Sequence, residues 1–125
     1  MKNNITVVTN GVRALERLSE YKIKTISTGG ELLWSCLSLV GENAYRTIND
    51  INADVLFFSC RGVSEDGYMT DISAEENYVR RRMIKNAERS YLMCAGEKFG
   101  KKYYHNLAHI RDITGVISEA EIPDF

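Results

Sequence analysis

Apolar and polar positions follow two rhythms along this chain. "NITVVT" (Asn4–Thr9) is short, apolar and β-branched, the pattern of a buried strand. Val12, Leu15, Leu18 and Tyr21 then recur at helical spacing, with Arg13, Glu16, Arg17 and Glu20 between them. That predicts an amphipathic helix, with Asn10 placed to cap it. "IKTIST" (Ile23–Thr28) is a second strand, stopped by Gly29-Gly30. "ELLWSCLSLVG" fits either a strand resumed past that turn or an apolar flap. From Gly41 the helical rhythm returns, with Ala44, Tyr45, Ile48 and Ile51 on one face and Asn52 at its end. "ADVLFFSC" is apolar on both faces, as in parallel-sheet strands covered from both sides.

A polar stretch, "SCRGVSEDGYMTD", follows that strand directly. Val79, Met83 and Ala87 then step by four, joined by Ile84, which predicts a long helix from about Ala74 to Arg89. "SYLMCA" reads as a strand, "YYHNLAHI" as a short helix and "ITGVISE" as a last strand. Strands alternating with helices predict an α/β domain with a largely parallel sheet. A length of 125 residues suits a single domain, 1–125, with a real core.

Composition narrows the function. Net charge is −1, from 16 Lys+Arg against 17 Asp+Glu, without the basic excess of a chain that grips nucleic acid directly. No apolar run approaches the roughly 18 residues that span a bilayer, so no membrane partner is expected. The three cysteines, Cys36, Cys60 and Cys94, are widely spaced and odd in number. They read as reduced thiols of a cytoplasmic protein. His105 and His109 lie four apart, yet "HNLAH" lacks the glutamate of a zinc helix, and no metal or other cofactor is expected. Neither Cys60 nor Cys94 has a base beside it in sequence, so no catalytic nucleophile stands out. Arg80-Arg81-Arg82 spread around a helix and read as a solvated face or subunit contact.

In parallel α/β sheets, ligands bind beyond the carboxyl ends of the strands. Here those ends carry "TNG", "STGGE", "SCRGVSEDG" and "CAGEKFG". Thr28-Gly29-Gly30 offers a hydroxyl and unobstructed backbone N–H groups, suited to an anion or to a plain tight turn. Thr9-Asn10 adds either helix N-terminal donors or merely a cap. Carboxylates such as Asp66 and Asp71 accept from sugar hydroxyls, and Asp71 fits equally as a cap. Lys98, in a glycine-flanked loop, is either a phosphate's point charge or a solvated surface lysine.

Together these segments resemble the effector-binding domain of the DeoR family of bacterial sugar-operon regulators. "ITVVTN" looks like that domain's opening strand and turn, and "STGGE" like its glycine pair. "LVGENAYRTINDINADVLFFSCRGVSEDGYMTDISAEENYVRRRMIKNA" is similar to its central block, and "CAGEKFG" to its D-x-S-K-F-G. The resemblance covers about Asn4 to Glu119. It implies a Rossmann-like three-layer fold with a mostly parallel sheet, related to ribose phosphate isomerase, glucosamine phosphate isomerase and the CoA transferases. It also implies a phosphorylated sugar effector, no catalysis and a homo-oligomer. The implied pocket comprises Thr9, Asn10, Thr28, Gly29, Gly30, Gly62, Asp66, Gly67, Asp71, Glu76 and Lys98; Arg61, which the family pattern does not supply, either joins that pocket as a further charge for the phosphate or points outward to a partner.

Three departures accompany the resemblance. The chain opens on the first strand, so the family's winged helix-turn-helix is expected to lie outside it, and operator DNA to be bound only through that missing part. Ala95 stands where the family has an aspartate, and Arg61 where small residues are usual. Two rivals remain: a sugar-phosphate isomerase on the same fold, with Asp66, Asp71 or Glu76 as base, and an oligomerisation module with a vestigial pocket.

Overall fold

Val7 and Val8 turn partly inward from the first strand, β1 (Thr6–Thr9), which forms where the β-branched run predicts it. The computed structural model describes residues 4–125. They fall into two units, 4–50 and Ile51–Phe125, each described by itself.

In the first unit, α1 (Val12–Glu20) leads to β2 (Lys24–Ser27), which pairs with β1 in parallel, Thr6 opposite Lys24 through Thr9 opposite Ser27. "ELLWSCLSLV" resolves into an antiparallel hairpin of β3 (Glu31–Leu33) and β4 (Ser38–Val40), with Trp34 exposed between them. α2 (Glu42–Asn49) follows from Gly41 and buries Ala44 and Ile48, two of the positions its periodicity marked. Asn10 does not cap α1. Gly11 occupies that position, without a side-chain cap bond. The Asn10 amide instead donates to the Leu39 carbonyl at 3.0 Å, and the Leu39 N–H returns to the Asn10 carbonyl at 2.7 Å. A side-chain amide matches the donors and acceptors of extended backbone, and β4 offers it that partner.

The second unit begins with β5 (Ala53–Phe58), then the hairpin strands β6 (Gly62–Val63) and β7 (Tyr68–Asp71). α3 (Ala74–Lys85), β8 (Ala87–Met93), β9 (His105–His109) and β10 (Gly115–Ile117) complete it. β10, β8 and β5 form a parallel sheet in that order, while β6, β7 and β9 form an antiparallel one. Phe58, Cys60, Val63, Met69, Leu92, Cys94 and Leu107 make one core, with Ile84 of α3 packed against it. Full burial of a side chain such as Met69 or Leu92 stabilises by about 1.5–3 kcal/mol. The protein is therefore a mixed α/β structure with three helices among the described residues, in which parallel and antiparallel pairing share the strands.

Several sequence expectations change here. "YYHNLAHI" holds a strand, not a helix: Leu107 and His109 are buried while His105 is exposed, and β7 pairs along it. Residues four apart in a strand lie about 13 Å apart, so His105 and His109 are not brought together as they would be on a helix. α3 ends at Lys85 with Asn86 as its cap, and Ala87 and Arg89 belong to β8. The polar stretch after β5 is a β-hairpin as well as a loop. β5 is not covered on both faces: Phe58 is buried, but Val55 and Phe57 are 37% and 56% exposed. Met93 and Ile117, in line with them on β8 and β10, are exposed too. No helix among the described residues is long and apolar enough to cross a membrane.

Candidate functional site

The predicted site residues fall into two groups, one in each unit. In the first unit, parallel pairing sets Thr9 beside Ser27, and the Thr28 N–H reaches the Thr9 carbonyl at 3.1 Å. Thr9, Asn10 and Thr28 thus stand together at the carboxyl ends of β1 and β2. Their polar groups hold backbone: Thr9 Oγ1 accepts from Gly11 N–H at 3.1 Å, and Thr28 Oγ1 donates to the Gly29 carbonyl at 3.0 Å. Thr47 Oγ1 of α2 donates to the Thr28 carbonyl at 2.9 Å, and Thr28 is buried.

The two glycines differ. Both have positive φ, +67° at Gly29 and +115° at Gly30. A Cβ on Gly30 would stand 2.5 Å from the Val40 carbonyl and 3.1 Å from Ala44 Cβ, so packing alone excludes a side chain there. A Cβ on Gly29 would meet nothing within 4 Å. Gly29 is the position whose surroundings leave room for a ligand against the backbone.

In the second unit, Asp71 and Glu76 converge on Arg80, and Arg61 joins the cluster through Asp71. Arg80 donates from Nη1 to Asp71 Oδ2 at 3.0 Å and from Nη2 to Glu76 Oε1 at 2.6 Å. Arg61 Nε lies 3.6 Å from the other Asp71 oxygen, which also accepts from Ile72 N–H at 2.7 Å. The side chains of Asp71, Glu76 and Arg80 are each at least four-fifths buried, whereas that of Arg61 is 49% exposed. α3 is capped by Ser73, whose Oγ accepts from Glu76 N–H at 3.2 Å, so Asp71 is an ion-pair partner and not the cap.

The signal for Arg80 was present. Glu76 precedes it by four, a spacing that pairs charges on a helix, but the run Arg80-Arg81-Arg82 read as a solvated face or a subunit contact. Arg81 is also committed to the fold. It donates to the Leu107 carbonyl at 3.1 Å and the Asn106 carbonyl at 2.7 Å, tying α3 to β9.

Lys98 follows β8 on a short 3-10 turn, Gly96–Lys98, and its Nζ donates to the Cys60 carbonyl at 3.1 Å, just past the end of β5. The ends of two neighbouring parallel strands are thereby joined by an ammonium group, with Arg61 next in the chain. Cys60 and Cys94, beside these ends, are buried, and burial pushes the Cys60 thiol up to about 11 and the Cys94 thiol upward. Neither is primed as a thiolate. At Ala95 no carboxylate is present, but Glu119 brings one to this turn, its oxygens accepting from Gly96 N–H at 3.1 Å. That bond holds the Glu119 carboxyl below its ordinary range.

Gly62, Gly67 and Asp66 belong to the β6–β7 hairpin. A Cβ on Gly62 would stand 2.6 Å from the Lys101 carbonyl and 2.9 Å from the Tyr103 ring, so its place is set by close packing. Gly67, at φ +92°, closes the turn against the His109 ring. Asp66 is exposed and accepts from the Ser64 hydroxyl, which lowers its carboxyl below the ordinary range. His109 Nδ1 accepts from Arg111 N–H, so the ring proton sits on Nε2, which donates to the Asp66 carbonyl at 2.7 Å. Asp66 and Gly67 thus form a separate neighbourhood, built by Ser64 and His109.

Comparison with known proteins matches residues 1–120 to the DeoR C-terminal sensor domain family. YulB, an uncharacterised HTH-type transcriptional regulator of Bacillus subtilis, is 31% identical over 117 residues, which cover 93% of this chain and 45% of that protein. The L-fucose operon activator of Haemophilus influenzae is 28% identical over 120 residues, 95% of this chain and 48% of that protein. The glycerol-3-phosphate regulon repressor of Escherichia coli is 25% identical over 122 residues, 97% and 48%. These relatives are transcriptional regulators and not enzymes, and the chain spans about half their length. Its strands, its strand-end residues and these matches together make it a member of the DeoR C-terminal sensor domain family.

Proposed function

We propose that this sensor domain binds a phosphorylated sugar or polyol at the carboxyl ends of its parallel strands, and that binding alters the operator affinity of a DNA-binding domain outside the chain. The observation that carries this reading is the pair of cations at the ends of β5 and β8. Lys98 spends one donor on the Cys60 carbonyl and an ammonium has three. Arg61 touches Asp71 through Nε alone among the described residues, which leaves its two Nη groups for a ligand. The neighbouring Arg80 is saturated by Asp71 and Glu76 and adds no net charge. A phosphate is the group that two such cations favour.

The names of the relatives support the ligand class: one controls an L-fucose operon, another a glycerol-3-phosphate regulon. In the first unit, the open Gly29 turn beside Thr9 and Thr28 supplies backbone donors of the kind that cradle anions. The same reading takes the fold as the Rossmann-like relative of the sugar-phosphate isomerases, and a homo-oligomer as the unit that presents paired heads to a palindromic operator. The enzyme alternative has little support: Asp71 and Glu76 are engaged by Arg80, and Asp66 by the Ser64 hydroxyl that lowers its carboxyl, which leaves none of the three as a poised base.

A thermal-shift screen tests the proposal, with hexose phosphates and glycerol 3-phosphate set against the free hexoses and glycerol. A ligand at about a hundred times its dissociation constant adds roughly 2.7 kcal/mol of apparent stability, several degrees for a domain of this size. A shift with a phosphorylated compound and none with its free counterpart supports the reading. A clean melt unmoved by every phosphorylated compound turns the assignment to an assembly module.

A further inference from the structure

Past the turn that carries Lys98, the chain runs through "KKYYH" into β9. Tyr104 is 88% exposed, the most exposed large apolar side chain among the described residues. A tyrosine in that position contributes almost nothing to the core, and the ring nearest to it is His105, with centroids 6.2 Å apart. Tyr103, by contrast, is fixed. Its N–H donates to Thr70 Oγ1 at 3.1 Å, its ring lies against the Gly62 backbone, and the Arg61 guanidinium stands 5.9 Å from the ring centroid. Tyr103, Tyr104, Lys102 and Ile72 line an open groove of about 410 Å3.

The groove adjoins both carboxylate neighbourhoods of this unit. Ile72 follows Asp71 in the chain, and the charge of Lys102 is felt by Asp66, whose carboxyl it helps to lower. The groove therefore combines aromatic rings, phenolic hydroxyls and an ammonium group, with Arg61 over one of the rings. Its volume falls within the range of about 300–1,000 Å3 of small-molecule sites. The lining is apolar but flanked by positive charge, which fits a ring with an apolar face, many hydroxyls and an anionic substituent. A peptide segment would meet a short groove with a lysine in its lining, Lys102, and little apolar length to fill.

We infer that the groove between Ile72, Tyr103 and Tyr104 is a sugar-ring subsite, in which the apolar face of the sugar lies on the tyrosines and Lys102 meets its polar edge. The inference rests on the phosphosugar reading and adds to it the residues that choose the sugar. Arg61 is the link, in contact with both Asp71 and the Tyr103 ring. Selectivity among sugar phosphates then resides in Tyr104 and Ile72, and affinity for the phosphate in Lys98 and Arg61.

The test is calorimetric titration of the chain with glucose 6-phosphate and, separately, inorganic phosphate, in wild type, Tyr104→Ala, Tyr104→Trp and Lys98→Ala. Loss of the aromatic contact predicts a roughly fivefold weaker hold on glucose 6-phosphate in Tyr104→Ala, the equivalent of about 1 kcal/mol. Tyr104→Trp restores it, and affinity for inorganic phosphate stays at the wild-type value in both. Tyr104→Ala melts as wild type does, because the side chain is exposed. Wild-type affinity for glucose 6-phosphate in Tyr104→Ala, with binding lost in Lys98→Ala, overturns the ring subsite and leaves the phosphosugar reading standing. Absence of wild-type binding to glucose 6-phosphate, inorganic phosphate and every other phosphorylated compound of the thermal-shift screen, or full binding in Lys98→Ala, removes the reading beneath it.

Discussion

Arg80 shows how much one residue holds in this protein. Its two Nη groups bridge the largely buried carboxylates of Asp71 and Glu76. Arg80→Ala leaves Asp71 with the Ile72 N–H and the half-exposed Arg61 at 3.6 Å, and removing one partner of a buried pair costs roughly 3–5 kcal/mol. Urea denaturation would measure that loss. Arg46→Ala, which breaks an ion pair with both side chains 71% exposed, is expected to cost no more than about 0.5 kcal/mol in the same experiment.

Cys60 ties stability to pH. Its thiol lies near pH 11 in the fold, against an ordinary value of 9.0, because burial disfavours the thiolate. The folded state therefore keeps its proton where the unfolded chain loses one, and stability falls as pH rises from about 9 toward 11. Cys94, raised in the same direction, adds to the slope. Melting temperatures from pH 8.5 to 11 are expected to fall more steeply for wild type than for Cys60→Ala. Asp66 works in the opposite sense: its lowered carboxyl supports the hairpin turn above the ordinary carboxylate range and loses its ionised partnership with Ser64 in acid.

Among the elements, the glycines separate packing from function. Gly67→Ala places a Cβ 2.7 Å from the His109 ring at φ +92°, a change expected to cost more than about 1 kcal/mol. Gly30→Ala is similarly blocked by Val40 and Ala44. Gly29→Ala meets open space and carries only the left-handed backbone cost of about 1–2 kcal/mol. Chemical denaturation of the three variants should rank Gly29→Ala as the mildest, and ligand titration should find it the most damaging of the three relative to its stability cost.

Legibility in the sequence followed the range of the forces involved. β1, α1, α2 and β5 were readable because a local rhythm of apolar positions specifies each of them. β9 was not, since Leu107 and Ala108 fit a helical stripe as well as a strand, and its pairing with β7 is a distant contact. The hairpin of β6 and β7 was hidden for the same reason, behind Ser64, Asp66 and Gly67, which read as an irregular polar loop. At the candidate site, Asp71, Glu76, Arg61 and Lys98 were named from sequence, but their arrangement depends on Arg80 and on the Cys60 carbonyl, and neither carries a motif.

At the scale of the whole molecule, the chain is a sensor-domain family member made of two units, with its largest apolar cluster inside the second, from Phe58 to Leu107. The cations proposed to receive the ligand's phosphate belong to that second unit, where β5 and β8 end together. The net charge of −1 is consistent with the proposal that this part reads a metabolite and that operator contact is made elsewhere. The proposed coupling is a free energy shared between two sites, and its proposed ligand end lies in Lys98 and Arg61.

The most direct measurement is calorimetric titration of the wild-type chain and of Lys98→Ala with the phosphorylated compound that gives the largest thermal shift. The account predicts binding in wild type and a loss of at least about tenfold in affinity in the variant, since a hydrogen bond to a charged group contributes about 1.5–3 kcal/mol. Both proteins should melt as intact folds. Equal affinity in the two would contradict the account, because the phosphate would then be held somewhere other than the paired ends of β5 and β8.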